Sequence, residues 1–329
     1  MAPSPAPQES GTPSAARAAT DVWLPIPPAQ IEGLPDGFTY HFWDGDEDFP
    51  ADPALCCFYV VPYMKGQAVA VRPLREMPGL RVVQTLTAGI DHVADAVPDL
   101  PTGTLLCNAR GVHDASTAEL ALTLTLAALR RVPTFVRAQD AEEWSPGVYD
   151  ALADKSVLIV GHGAIGSAVE ERLVPFEVGE VTRVARTARE APRGPVHALD
   201  SLPALLPHAD VVILCTPLTE ETRGLASAEF LSRMKDGALL VNVARGAVVD
   251  TKSLLAEVES GRLRAALDVT DPEPLPAGHP LWHAPGVLIT PHVGGPTTAF
   301  LPRAKRLLRD QLGRWARGEP LEHTVAVAE

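Results

Sequence analysis

From about Phe38 onward, short apolar runs alternate with longer stretches of mixed polarity. "CCFYVVPY", "RVVQTL" and "TLLCNA" are strand-length, and helix-compatible segments such as "KGQAVAVRPLREM" separate them. That pattern predicts a small α/β unit between Phe38 and Asn108. The texture then changes. "STAELALTLTLAALRR", Ser116 to Arg131, predicts a long apolar helix with Ser116 as its N-cap and Glu119 three residues on, a capping box. Such a helix could link two domains. From Lys155 a second series begins with "SVLIVG", a helix from Ile165 to Leu173, "VTRVA" and "ADVVILCT". It continues with a helix around Ala228 to Met234, "GALLVNV", a helix near Ser253 to Ser260, "RAALDV" and "VLIT".

The strands of this second series are continuous apolar runs, as parallel strands are when helices cover both faces of the sheet. A doubly wound parallel sheet is therefore expected over residues 116–297. After Thr298 the helix "FLPRAKRLLRDQLGRWARG" has no strand to follow and is expected to pack back against the first unit. Residues 21–115 and 298–329 then make a smaller α/β domain, interrupted by the larger one. A chain of 329 residues is long enough for both, since domains commonly take about 100–200 residues each. No internal repeat of short period is visible.

Composition refines this picture at a few points. The chain is 46% hydrophobic and 21% charged, ordinary for a globular protein, but it carries 32 prolines. Many of them fall in the opening "MAPSPAPQESGTPSAARAAT", which has no apolar period, so residues 1–20 read as a disordered tail. That stretch lacks the apolar core of a secretory signal and the arginine density of a transit peptide. No later apolar run reaches the roughly 18 residues of a membrane span. A cytoplasmic location is expected. The net charge of -13 argues against nonspecific attraction to nucleic acid or to an anionic membrane, so an anionic ligand would need a local cationic pocket. The four cysteines, Cys56, Cys57, Cys107 and Cys215, show no C-x-x-C and no histidine at metal-ligand spacing. They fit a reducing compartment, and no metal is expected.

"VLIVGHGAIGSAVEERL" holds a G-x-G-x-x-G, formed by Gly161, Gly163 and Gly166, directly after a buried strand and opening a helix. The first glycine allows the tight turn, the second the close approach of a pyrophosphate, and the third the packing of helix on strand. Phosphates there meet free backbone N–H groups and the positive end of the helix dipole. Ala164 and Ile165, at the start of that helix, and Thr216 and Pro217, after "ADVVILC", complete the expected contacts with a dinucleotide. An acid that bonds the adenosine ribose normally lies about 20 residues beyond the glycines, at the end of the next strand. Here "VTRVARTAR" puts Arg186 at that point, with Thr187 and Arg189 as further donors. A carboxylate would repel a 2′-phosphate, whereas an arginine binds one bidentately. The expected cofactor is NADP, with NADPH preferred over NADH.

Three further segments each follow a predicted strand: "VNVARG" with Arg245, "LDVTDPEPLPAGHPLW" with Glu273, and "LITPHVGG" with His292. In an open α/β sheet the ligand crevice lies at the carboxyl ends of the strands, so these loops converge on one site. Any one of the three residues alone reads as a surface or structural group. Together they make a candidate catalytic set.

With these motifs in the order "VNVARGAVVD", "ALDVTDPEPLP", "HPLW" and "TPHVGG", the chain from about Thr39 to about Glu319 resembles the D-isomer-specific 2-hydroxyacid dehydrogenases. It looks like an NADP-preferring, glyoxylate/hydroxypyruvate reductase-like member of that family. The resemblance implies a Rossmann cofactor domain inserted into a flavodoxin-like substrate domain, a small 2-oxo or 2-hydroxy acid as partner, and a homodimer. It also implies His292, Glu273 and Arg245 as the active site and Asp268 beside the nicotinamide carboxamide. Ala88 and Gly89, in "LTAGIDHV", would form a backbone cradle for the substrate carboxylate. Arg186 departs from NAD-using members, which carry an acid there. Reduction of a 2-oxo acid needs a proton for the developing alkoxide, a task for protonated His292 held by Glu273. Arg245 would hold carboxylate and carbonyl oxygens. Two other readings share this fold: a dinucleotide-sensing binding protein without catalysis, as in the C-terminal-binding-protein corepressors, and a dehydrogenase of another oxyanion such as phosphite. The identity of the acid would rest on the side-chain pocket near Val61–Met64 and Trp282.

Overall fold

The computed structural model describes residues 20–46 and 48–328, so the expected disordered tail lies almost wholly outside the described residues. By their contacts these residues fall into two compact units. One takes the chain up to Thr85, Val93–Cys107 and the part from Leu312 onward; the other takes Leu86–His92 and Asn108–Gln311.

The first unit is built on β1 (Asp21–Leu24), β2 (Thr39–Phe42), β3 (Cys56–Val60), β4 (Val82–Gln84) and β5 (Leu105–Cys107), which pair in parallel in the order β5-β4-β3-β1-β2. Every residue of β3 is buried, which explains its unbroken apolar sequence. Trp23, Trp43, Phe49 and Tyr59 pack as tilted or edge-on rings 5.5–6.1 Å apart, an aromatic cluster within this unit.

The second unit holds β6 (Ser156–Val160), β7 (Glu180–Ala185), β8 (Arg189–Ala191), β9 (Gly194–Ala198), β10 (Val211–Leu214), β11 (Leu239–Asn242), β12 (Arg264–Leu267) and β13 (Val287–Ile289). Their order is β13-β12-β11-β10-β6-β7-β9-β8, parallel throughout except for the terminal β8–β9 pair. From β6 the chain runs outward through β7 and β9, then returns to β10 on the other side of β6 and runs outward again. That reversal is the topological switch point at which doubly wound sheets bind nucleotides. Alternate residues of each central strand enter different cores. Val157, Ile159, Val211 and Ile213 pack with Ala121, Leu124 and Val169, while Leu158, Val160, Val212 and Leu214 pack with Leu206, Phe230 and Leu254. Burial on both faces is why the strands read as continuous apolar runs.

Three local expectations need correction. The long helix runs Asp114–Leu129, and its first turn is already closed by the Thr117 N–H on the His113 carbonyl at 2.9 Å. Ser116 is therefore inside the helix, where its hydroxyl bonds back to the His113 carbonyl at 3.3 Å, and no capping box with Glu119 forms. Arg131 adopts a left-handed conformation that ends this helix, and a second one, Val132–Asp140, follows. Finally, the helix Phe300–Ala316 is succeeded by a strand, β14 (Thr324–Val327), which adds antiparallel to the edge of β5. Mostly exposed and four residues long, β14 carries almost no burial pattern for a sequence reading to detect.

Candidate active site

At the end of β6, Gly161 has φ +104, a region in which side chains are strained, and a Cβ there would lie 2.5 Å from the Cys215 backbone and 2.6 Å from the Thr216 nitrogen. Only glycine lets the loop pass so close to the end of β10. A Cβ on Gly163 would meet nothing within 4 Å, so the space above that residue is open. The helix Ala164–Leu173 starts immediately, and its first intrahelical bond is from Ser167 N–H to the Gly163 carbonyl at 2.9 Å. The N–H groups of Ala164, Ile165 and Gly166 precede that bond and are available to phosphate oxygens. Beside the loop the Thr216 hydroxyl is buried without a hydrogen-bond partner among the described residues. An orphaned donor next to an open glycine turn and a free helix start is what a bound dinucleotide would complete. Pro217 is exposed, and its carbonyl accepts from the Thr222 hydroxyl at 2.6 Å.

Arg186 and Thr187 lie exposed where β7 turns toward β8. Among the described residues no acceptor engages the Arg186 guanidinium. Arg189 is different: its Nη2 donates to the His162 carbonyl within the glycine turn.

Arg245, Asp268 and His292 come after β11, β12 and β13, on one edge of the same sheet. Buried Asn242 shapes the first of these loops, donating to the Arg245 carbonyl at 3.0 Å and accepting from the Ala244 N–H at 3.0 Å. The Arg245 guanidinium is held by its own neighbour and from far along the chain: Nη1 donates to the Ala244 carbonyl and Nε to the Asp91 carboxylate, both at 2.8 Å. A Cβ on Gly89 would fall 2.0 Å from Arg245 Nη2 and 3.0 Å from its guanidinium carbon, so the segment bearing Ala88 and Gly89 can lie against the guanidinium only because residue 89 has no side chain. The Asn108 amide donates to the Ala88 carbonyl at 2.9 Å and the Thr87 hydroxyl to the Gly89 carbonyl at 2.7 Å, fixing the same segment.

His292 Nδ1 lies 2.6 Å from Glu273 Oε1, across 19 residues of chain. This contact raises the imidazole above its ordinary value and outweighs the opposing effect of burial. Conversely, the hydrogen bond from His292 is the main reason the Glu273 carboxyl sits below its usual range. The pairing occupies Nδ1 and leaves Nε2 to face a ligand. His292 itself has φ 54, uncommon for a non-glycine residue. Its conformation is imposed by Asp268, whose backbone carbonyl accepts the His292 N–H at 2.8 Å. The Asp268 carboxylate, almost wholly buried, takes the Thr290 hydroxyl at 2.6 Å and the N–H groups of Val293 and Gly294 at 2.9 Å.

Of the residues that the sequence reading named, Arg245, Glu273, His292, Ala88 and Gly89 all lie within one compact unit. That reading missed Asp91, although "GIDHV" places that acid two residues from Gly89. It also missed the grip of Asp268 on the histidine loop, for which no local signal exists. Of the residues named for acid selection, Val61 is buried and Met64 exposed in the first unit, while Trp282 of the second is half exposed, its indole N–H donating to the Pro276 carbonyl at 2.9 Å.

Residues 122–294 match the sequence model of the D-isomer specific 2-hydroxyacid dehydrogenase, NAD binding domain. The chain belongs to that family. Among its relatives is a human glyoxylate reductase/hydroxypyruvate reductase, 32% identical over 85% of this chain and 88% of the relative. A chloroplastic/mitochondrial formate dehydrogenase of Arabidopsis thaliana is 30% identical over 83% of this chain and 73% of its own length. A D-isomer specific 2-hydroxyacid dehydrogenase from Xanthobacter autotrophicus Py2, solved in complex with NADPH and MES, superposes with a TM-score of 0.78 at 28% identity, covering 94% of this chain and 98% of that one. As a member of the D-2-hydroxyacid dehydrogenases, this protein is an oxidoreductase with a Rossmann-type NAD-binding domain. Among the described residues no helix is long and apolar enough to cross a membrane.

Proposed function

We propose that this dehydrogenase reduces a small 2-oxo acid to the D-2-hydroxy acid and prefers NADPH to NADH. The observation that carries the reading is the His292–Glu273 pair, with Nε2 unengaged among the described residues, in the same unit as the guanidinium of Arg245, against which the backbone of Gly89 is placed. When bound, the nicotinamide supplies a hydride to the 2-carbon. The chain's own residues do the rest. Arg245, held at Nε by Asp91 and at Nη1 by Ala244, can present Nη2 to an oxygen of the substrate, and the N–H groups of the 88–89 segment can receive its carboxylate. His292, kept protonated by the anion beside it, gives its Nε2 proton to the alkoxide oxygen as it forms. Glu273 fixes the ring and stabilises the imidazolium before transfer.

The cofactor preference rests on Arg186, exposed and, among the described residues, without an acidic partner where a ribose-binding carboxylate would otherwise stand. The NADPH bound to the Xanthobacter relative is consistent with it. Residues 116–297 take the part of the cofactor domain in this reading, and 21–115 with 298–329 that of the substrate domain. A homodimer is the proposed assembly. It draws support from the apolar side chains left exposed around the helix Val132–Asp140, among them Val136 and, fully in solvent, Trp144 and Val148. The four cysteines are free thiols, in keeping with a cytoplasmic enzyme.

Assaying a panel of 2-oxo acids, among them glyoxylate, hydroxypyruvate, pyruvate and branched or aromatic acids, with each nucleotide tests the proposal directly. Turnover of at least one acid with a higher kcat/KM for NADPH is expected; no turnover of any would remove the substrate assignment. The histidine pair has its own signature. Because the imidazole is raised, reduction should be sustained at low and neutral pH and lost as pH rises through that raised value. Glu273→Gln removes the main cause of the shift, so the alkaline limb of the kcat profile should move to lower pH. An unmoved limb would mean that Glu273 does not hold the proton on His292.

A further inference from the structure

Beneath the glycine turn lies a polar chain that the reaction does not use. β7 carries a charged residue in mid-strand, Arg183, whose side chain is only 11% exposed. Its Nε donates to Glu170 Oε1 at 2.6 Å, its Nη2 reaches the same carboxylate oxygen, and its Nη1 donates to the Val181 carbonyl at 3.0 Å. Glu170, on the helix that follows the turn, is 6% exposed and turns Oε2 to His162 Nε2 at 2.8 Å. His162 is the residue between the first two glycines of the motif; its ring is 5% exposed, and its Nδ1 has no partner among the described residues. Burial works to raise the Glu170 carboxyl, but the bonds from Arg183 and His162 outweigh it, and the group stays below its usual range. The buried carboxylate is therefore an anion matched to the guanidinium.

The chain closes on itself through the backbone. The N–H groups of Gly161 and His162 donate to the Val184 carbonyl at 2.8 and 3.0 Å, tying the turn to the strand that bears Arg183. The His162 carbonyl in turn accepts from Arg189, six residues beyond Arg183. Strand, helix, glycine turn and the basic segment after the strand thus form one ring: Arg183, Glu170, His162, Arg189. Well-packed apolar residues would commonly hold such a place as stably as a buried ion pair, so stability alone does not call for this one. What the ring does hold is geometry. The ring bond to Glu170 and the backbone bond to Val184 hold His162 from two sides, and the carbonyl of a residue so held anchors the guanidinium of Arg189 beside the edge of the phosphate turn. An arginine already ordered loses less freedom when it meets an anion.

We propose that Arg183, Glu170 and His162 are positioning residues for nucleotide selection, which hold Arg189 in place through the His162 carbonyl and so sharpen discrimination in favour of a 2′-phosphorylated dinucleotide. The proposal rests on the reading of NADPH as the preferred cofactor. It assigns to the buried network an effect on the 2′-phosphate and little on the part of the cofactor common to both nucleotides.

Equilibrium binding of NADPH and NADH, followed by fluorescence in the absence of substrate, separates these effects. In Glu170→Gln the Kd for NADPH should rise about tenfold, the scale of one charge-assisted contact, while that for NADH changes by less than about threefold. In an Arg189→Ala background the same substitution should no longer change the ratio of the two constants, because the group through which it acts is gone. Should Glu170→Gln fold poorly, the paired change Arg183→Leu with Glu170→Leu removes both charges of the ion pair and should reduce the preference for NADPH in the same way. A wild type that prefers NADPH while Glu170→Gln and the paired variant keep its ratio would overturn the proposal and leave the cofactor reading standing. So would an effect of Glu170→Gln that persists undiminished without Arg189, which would mark the ring as support for the turn alone. Equal affinity for both nucleotides in the wild type would remove the cofactor reading and this proposal with it.

Discussion

Replacing His292 is expected to lower kcat for any accepted 2-oxo acid by roughly two to four powers of ten, the usual contribution of a positioned general acid. The Kd for NADPH should stay within about twofold, because His292 belongs neither to the glycine turn nor to the basic segment after β7; a shift that small is well under 1 kcal/mol. The choice of variant matters. His292 sits at φ 54, where alanine is strained, while asparagine tolerates that region well. His292→Ala and His292→Asn should therefore be measured together. Equal loss of turnover in both, with nucleotide binding kept, identifies the missing proton donor as the cause; activity retained by His292→Asn would shift the blame to backbone distortion and leave the donor unassigned. Arg245→Ala should lose about two to three powers of ten as a preorganised donor of positive charge is withdrawn from the developing alkoxide. It should also raise KM, since the same fork is placed to bind the ground-state carboxylate.

The second large effect concerns nucleotide choice. Arg186→Asp is expected to weaken NADPH by about one to two powers of ten, which corresponds to loss of a charge-assisted contact worth roughly 1.5–3 kcal/mol. Repulsion between the new carboxylate and the 2′-phosphate adds to that loss. NADH should be weakened little or even bound better, because an aspartate there can accept a hydrogen bond from the ribose 2′-hydroxyl. The ratio of kcat/KM values for NADPH and NADH should accordingly shrink or reverse. A ratio left unchanged would show Arg186 to be a solvated surface cation, as its exposure alone would suggest.

Much of the molecule is written locally in the chain. The doubly wound sheet was legible because β6, β10 and β11 are buried on both faces and are therefore almost continuously apolar, Ser156 and Asn242 at their ends apart, a pattern that needs no knowledge of what packs against them. The phosphate turn was legible for a similar reason: a glycine at positive φ, squeezed against the backbone after β10, has no substitute, so its place in sequence is its place in space. Arg245 and His292 followed from the rule that parallel strands deliver their next residues to one edge of the sheet.

Pairing was not written there. Asp91 meets Arg245 across 154 residues, and nothing in either segment names the other. Asp268 bends the loop that carries His292 into its left-handed conformation, yet as sequence it is one acid after a strand. Arg183 within "VTRVA" reads as an ill-placed charge until the helix bearing Glu170 is laid against it. The edge strand β14 escaped for a related reason, since its addition to β5 depends on a neighbour outside the segment. The periodicity of a sequence encodes how deeply each residue is buried, which is a property of one element. Which polar groups satisfy one another is a property of two or more, and it is decided only when they are packed together.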